Sequence, residues 1–282
     1  LTNDGNSDLQ PDWLWIKQRN ASKNHNIWDS SRGVTKQLRA NLNNAEVTNT
    51  TNDTLVSLDS DGFTLGDDTD SVGVNENSQT YVAWQWKANG GTTTTNDASS
   101  TGVGTIDSVY QANTTAGFSI VTYTGTGSAG TVAHGLGVKP EWIVIKNRGK
   151  DEGWAVYHGA NTSAPQTDGL SLNSGNATSD SADYWNDTAP TTTTFSVAAD
   201  DRSGGSYNFV AYVFNSVQGY NKFGTYTGNG STDGPFVFTG FQPAWIMIKR
   251  TDNTGSWLIF DNKRKGYNPE VDEIESNTSS AE

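Results

Sequence analysis

Three histidines, a few adjacent acids and ten tryptophans are the residues of this 282-residue chain whose types could do chemistry. His25, His134 and His158 lie far apart, and none has the His-x-Glu or His-x-x-x-His spacing that brings two ligands to one metal. A glycosidase needs two carboxylates across a cleft, one with its pKa raised by an apolar wall. Asp151 and Glu152 stand near Trp154, but neighbours in the polar turn Gly149 to Gly153 point apart, so solvated turn acids are the plainer reading. The chain has no cysteine and hence no thiolate. No Gly-x-Ser-x-Gly elbow, phosphate loop or dinucleotide fingerprint occurs. The expectation is a protein that is not an enzyme, with no catalytic, cofactor-binding or metal residue assigned and its ligand-binding residues unknown.

Softer signals remain. Asp67, Asp68 and Asp70, with Asn75, Glu76 and Asn77 close by, gather hard oxygens that a calcium ion accepts, and Asp200-Asp201 fills the comparable stretch further on. EF-hand spacing is missing and acids are common throughout, so no cofactor is expected, with calcium as the alternative. Trp13, Trp142 and Trp245 share one repeat position and could stack on sugar rings, but recurrence argues for architecture over a pocket. Trp185, in the polar stretch Ser181 to Thr188, is the better candidate for an exposed contact. Lys17, Lys146 and Lys249 close the repeated strand and read as solvated strand ends.

These residues are positioned by a segment written three times: Pro11-Asp12-Trp13-Leu14-Trp15-Ile16-Lys17, Pro140-Glu141-Trp142-Ile143-Val144-Ile145-Lys146 and Pro243-Ala244-Trp245-Ile246-Met247-Ile248-Lys249. Each copy alternates, with two aliphatics on one face and Trp, an apolar residue and Lys on the other, as a strand does. Seventeen residues separate Pro11 from Trp28, Pro140 from Tyr157 and Pro243 from Phe260. A fixed offset is what a strand pair of set register requires.

The expected fold is all-β, in tandem antiparallel β-sandwich (jelly-roll) units. Thr, Ser, Asn and Asp feed short strands and turns, and a propeller blade or β-helix coil would repeat at a shorter period. The boundaries read as unit one at 1–88, lacking its first strand; a Gly/Thr-rich flexible linker at 89–116, where Thr105 to Asn113 offers a short strand; a complete unit two at 117–220; and unit three at 221–282, lacking its C-terminal part. The register leads one to expect a piece of a longer polypeptide, cut inside a unit at each end. Phe223 to Gly230 reads as a strand ending in a glycine turn, matching Phe118 to Gly127. Helical spacing occurs only over Ser31 to Ala45, where Gly33 and three asparagines count against it.

A net charge of −13 repels phosphate backbones and anionic bilayers, so neither nucleic acid nor membrane is an expected partner.

Four phrases carry a resemblance: Gly117-Phe118-Ser119-Ile120-Val121-Thr122-Tyr123-Thr124-Gly125, His134-Gly135-Leu136-Gly137-Val138-Lys139-Pro140, Trp154-Ala155-Val156-Tyr157-His158 and Gly228 to Val237. With Ser60 to Gly66 and Tyr81 to Trp84, they resemble a repeat domain of marine bacteriophage tail-fibre and other virion structural proteins. The resemblance implies a virion-surface, extracellular structural role and a concanavalin-like sandwich fold for the units, with other virion proteins and copies of itself as partners, a trimer among the arrangements, and host-surface glycans as a further partner. It assigns no binding residue. The alternative from another class is a carbohydrate-binding adhesin or extracellular filament subunit of a bacterium.

Overall fold

The computed structural model describes residues 8–266 and 268–282. The first part of the chain forms β1 (Trp13–Gln18), β2 (Asn26–Asp29), β3 (Lys36–Arg39), β4 (Val47–Thr48), β5 (Leu55–Asp59), β6 (Gly62–Leu65) and β7 (Tyr81–Trp86). Then come β8 (Thr94–Asn96), the single-turn helix α1 (Ala98–Thr101), β9 (Ser108–Asn113), β10 (Phe118–Thr124), β11 (Gly130–Ala133), β12 (Trp142–Asn147), β13 (Ala155–His158), β14 (Asp168–Ser171), β15 (Ser179–Asp180), α2 (Ala182–Trp185), β16 (Thr194–Val197) and β17 (Asn208–Phe214). The chain ends with β18 (Trp245–Lys249), β19 (Trp257–Asp261) and β20 (Ile274–Glu275).

The fold is all-β, and its named strand pairs are antiparallel. A five-stranded sheet has the order β4-β3-β2-β1-β7, an eight-stranded sheet β15-β14-β13-β12-β17-β10-β9-β8, and a three-stranded sheet β18-β19-β20. The thrice-written segment supplies β1, β12 and β18. The constant offset becomes a constant register, with Leu14 opposite Trp28, Ile143 opposite Tyr157 and Ile246 opposite Phe260.

Each face of that strand has its own destination. Leu14 and Ile16 pack under the β5-β6 hairpin with Leu55 and Phe63, while Ile143 and Ile145 pack under the β11-β16 pair with Val132, Phe195 and Val197. The opposite faces meet one another: Trp13 and Trp15, Trp142 and Val144, and Trp257 and Ile259 of the third sheet share a single core, against which Trp245 and Met247 also lie. Trp13 stacks on Tyr212 at 4.7 Å, and Trp86 meets Trp245 edge-on at 5.4 Å. The three sheets therefore converge on a common centre instead of standing as beads along the chain.

Two expectations change, for 89–116 and for Phe223 to Gly230, and the doubt over a helix at 31–45 is resolved against it. The stretch 89–116 is no flexible linker: β9 pairs with β10 through six residues, β8 adds the sheet's edge, and Ile106 is buried against Val121 and Val132. Gly90 and Gly91 turn the chain from β7 into β8, Thr94 and Thr95 belong to β8, and Asp97 caps α1 by accepting the Ser100 amide. Residues 31–45 hold β3 and turns, because pairing Ile27 with Leu38 puts Leu38 and Ala40 into the central core, which outweighs their helical spacing. Phe223 to Gly230 forms no strand and pairs with no described strand; only its first ring is anchored, against Trp142 of β12.

A shared centre predicts one cooperative transition. Trp13→Ala should lower stability by about 3–5 kcal/mol and shift the unfolding of the whole molecule, not of the first sheet alone. Calorimetry compared with tryptophan fluorescence checks this; a separate early transition would contradict it.

Candidate functional site

The polar side chains that sequence suggested as chemical groups are mostly found where one sheet meets the next. The residue fourteen positions after each repeat proline sends an N–H onto the third strand of a neighbouring sheet. Trp154 Nε1 donates to the Arg39 and Leu42 carbonyls at 3.0 and 3.2 Å, and Trp257 Nε1 to the Ser171 carbonyl at 3.0 Å. His25 does the same for Glu275, with Nε2 at 3.1 Å from its carbonyl. Trp15 Nε1 donates to His25 Nδ1 at 2.9 Å, which leaves the proton on Nε2.

A second bond runs the other way at the residue eight positions after each proline. The amides of Glu46, Thr178 and Glu282 donate to the carbonyls of Arg148, Thr251 and Arg19 at 3.0, 2.9 and 2.8 Å. Taken together, the first sheet bonds to the second, the second to the third and the third to the first. The contacts are head-to-tail and close in a ring, the geometry of a heterologous interface whose rotation closes.

Charge reinforces two of the three junctions. Between the first and second sheets, buried Arg32 binds Asp29 at 2.5 Å and Glu46 at 2.9 Å, and Arg148 grips the same Glu46 at 2.8 and 3.0 Å. Tyr212 donates to Asp29 at 2.7 Å and accepts from Arg32 at 3.2 Å. Burial opposes the Arg32 charge, but Asp29, Tyr212 and Glu46 together hold its pKa above the ordinary value. Burial likewise pushes Glu46 up, and the hydrogen bond from Arg148 with the Arg32 charge more than reverses it.

Between the third and first sheets Arg264 binds Asp261 at 2.7 Å and also meets Glu282, while Arg19 reaches Glu282 at 2.6 Å. Trp84 Nε1 takes the place of the Tyr212 hydroxyl, donating to Asp261 at 3.1 Å. Between the second and third sheets the same positions hold His158, Asn161, Thr178 and Thr251. Thr178 Oγ1 donates to Asn161 Oδ1 at 2.8 Å, a neutral substitute for the ion pairs. Sequence reasoning passed over Arg32, Arg264, Tyr212 and the two glutamates as a set. The signal was present: Arg32 and Arg264 both stand twenty-one residues after their proline.

The lysines correct an expectation. Lys17 and Lys146 are fully buried and Lys249 is half-buried, not solvated. Lys146 Nζ donates to the carbonyls of Asn43, Asn147 and Glu152 at 3.0, 2.9 and 2.7 Å, bridging two sheets, and Lys249 reaches the Gly175 carbonyl at 3.1 Å. Desolvation brings Lys17 and Lys146 down to about 8. A flexible stem on the tryptophan face leads into the junction, where three carbonyls replace water.

Trp185 also moves from candidate contact to core. One turn of helix, capped by Ser181, folds it inward; it is 1% exposed, donates to the Asp168 carbonyl at 2.9 Å and meets Tyr157 edge-on at 5.6 Å. In the acidic loop, Asp68 turns away from solvent and accepts the amides of Val72, Gly73, Val74 and Asn75 at 2.7–3.0 Å. Those bonds engage both its oxygens and fix the loop from within. Asp151 accepts the Ala45 amide at 2.7 Å, and Asp201 pairs with Lys150. Among the described residues, no cluster of three or more His, Asp or Glu side chains gathers as metal ligands would. His134 is buried, its Nδ1 accepting the Leu136 amide at 3.2 Å and its Nε2 facing the Thr191 carbonyl at 3.4 Å.

The chain matches one protein family, described as a domain of unknown function (DUF7483), over residues 4–282. It is a member of that family. No curated protein matches the chain, and no solved structure does. In this chain the junction contacts recur at matched positions around the three sheets.

Two outcomes follow. Arg32→Ala leaves Asp29 buried without its cation and should cost about 3–5 kcal/mol, read by chemical denaturation. Burial, with the Lys17 charge, lowers His25 from 6.5 to about 3 against the opposing Glu275 carbonyl. The unfolded chain takes up the proton first, so folding stability falls as pH drops from the unfolded value toward the folded one, at up to about 1.4 kcal/mol per pH unit. His25→Gln removes that titration while keeping an N–H donor, and its stability should fall less than the parent's between pH 6 and 4. Equal slopes would refute the assignment.

Proposed function

We propose that this DUF7483 chain is a non-enzymatic structural protein of a bacteriophage virion surface, a fibre, spike or capsid appendage that spaces and presents surfaces to a host cell. The observation that carries the reading is the use to which reactive side chains are put. His25, Trp154 and Trp257 at matched positions, with Lys146 and Lys249, bond across sheet junctions, and Asp29, Asp261 and their arginines form buried ties. A chain that spends such groups on rigidity is suited to bearing load and holding shape. The resemblance of its phrases to virion repeat domains points the same way.

An outer surface carrying the excess of acids keeps such a protein from anionic surfaces at large, leaving contacts to other virion proteins, to copies of itself and to specific host glycans. The adhesin alternative relied most on an exposed Trp185, and that side chain is in the core.

Electron microscopy of purified virions with antibody raised against this chain tests the proposal. Labelling at a constant position on intact particles is expected. Label confined to bacterial envelopes, with bare particles, would overturn it in favour of a bacterial surface protein.

A further inference from the structure

Beside the β5-β6 hairpin the fold brings two carboxylates together with no basic side chain between them. Most of the oxygens in the acidic loop are already spent: both of Asp68 accept amides, Asn75 Nδ2 donates to the Gly66 carbonyl at 2.5 Å and holds that side chain in place, and Glu76 pairs with Lys23. Asp70 is not spent, and the group it meets is Asp53, seventeen residues earlier. We propose that Asp53 and Asp70 bind a calcium ion, which ties the loop after β6 to the start of β5.

Asp53 is the buried member of the pair. It is 3% exposed, and its Oδ2 is shut off from solvent with no hydrogen-bond partner among the described residues. Its Oδ1 accepts Asn49 Nδ2. Thr51, the nearest hydroxyl, has nothing left to donate, because its amide and its Oγ1 both go to Asn49 Oδ1 at 3.0 and 2.8 Å. The remaining group within hydrogen-bond reach is the Asp70 carboxyl, which when ionised only accepts. A buried carboxylate oxygen without a donor is costly. Main-chain bonds keep the two acids in place: the Gly66 amide donates to the Thr54 carbonyl and the Asp68 amide to the Asp53 carbonyl, both at 2.7 Å. Swinging Asp70 away would break them.

The chemistry of the missing partner follows from the charges. The bond to Asp53 and the Asp53 charge, then desolvation and the charges of Asp68 and Asp67, push the Asp70 carboxyl up from its ordinary value. Neither Asp53 nor Asp70 has an ion pair with lysine or arginine among the described residues, and the nearby Lys23 is engaged by Glu76 and the Ser71 carbonyl. A hard divalent cation turns the mutual repulsion into attraction and gives Oδ2 its partner. Calcium accepts irregular sets of oxygens completed by water, whereas magnesium demands a near-ideal octahedron and sheds its water reluctantly. Only two protein carboxylates are offered, so the affinity belongs with the weak sites, at about 10⁻⁴–10⁻³ M. Such a site would brace the hairpin that covers Leu14 and Ile16, whether or not the protein belongs to a virion.

Calorimetric titration of calcium into the intact, chelator-treated chain is the test, with thermal unfolding alongside and magnesium at equal ionic strength as the control. One bound calcium, with a Kd near or below about 1 mM, and a raised Tm are expected. Asp70 is exposed, so Asp70→Asn folds as the parent does and should weaken binding by at least about tenfold; Asp53→Asn should do the same. Equal binding by the parent and Asp70→Asn would overturn the proposal, since the ion would then sit elsewhere. An equal rise in Tm with magnesium would also overturn it, as screening of the acidic surface. So would an absence of binding, and a gain in stability from Asp70→Asn at pH 7 would then identify a shared proton as the partner of Oδ2.

Discussion

The constraint on which the molecule rests is that the repeated strand is buried on both faces. A two-sheet sandwich buries one face of each strand and leaves the other in water. Here β1 and β12 have no wet face, and their sequence shows why: the second face is Trp-x-Trp or Trp-x-Val, which costs too much to hydrate. The only way to cover three such faces with one another is to turn them toward a common axis. The closed ring of sheets follows from that, and so does the fate of the lysine on the same face, which arrives in a junction and must find carbonyls.

Burying polar groups there imposes strict accounting. An unmet N–H or charge at a buried junction costs about 1–3 kcal/mol or more, so each junction has to be satisfied as a set. The Arg-Glu-Arg arrangement between the first and second sheets is nearly reproduced between the third and first. At the remaining junction the acid, the arginine and their partner are all replaced together by His158, Asn161 and Thr178. Changing one member alone would strand a charge, and the coordinated change is what desolvation energetics demand.

Much of this was legible in the sequence. Alternation identifies β1, β12 and β18, and the offset of seventeen shows that each pairs with the following strand in one constant register. What periodicity could not give was the mutual arrangement of the sheets, since a face that reads as apolar does not say what it will meet. Lys17 and Lys146 were misread for that reason: a terminal lysine looks solvated unless the neighbouring sheet is known. Trp185 was misread because its polar neighbours form one helical turn that points the indole inward. Within 89–116 the strand at Thr105 to Asn113 was legible and is β9, but the rest was misread as a loose tether because glycine and threonine suit both a tether and tight turns between edge strands.

The residue fourteen positions after each proline shows what the ring selects. Trp154, Trp257 and His25 differ in size and chemistry, yet each is a buried ring presenting one N–H to a carbonyl at the end of a neighbouring strand. The imidazole can do this only in one tautomer, and Trp15 fixes it by donating to the other nitrogen. An indole needs no such helper. The first sheet accordingly carries a second tryptophan in its repeated strand, Trp15, where the others carry Val144 and Met247. The exchange of a ring at one position is matched by a donor at another, and the geometry of the junction, not the identity of the side chain, is what the three sheets share.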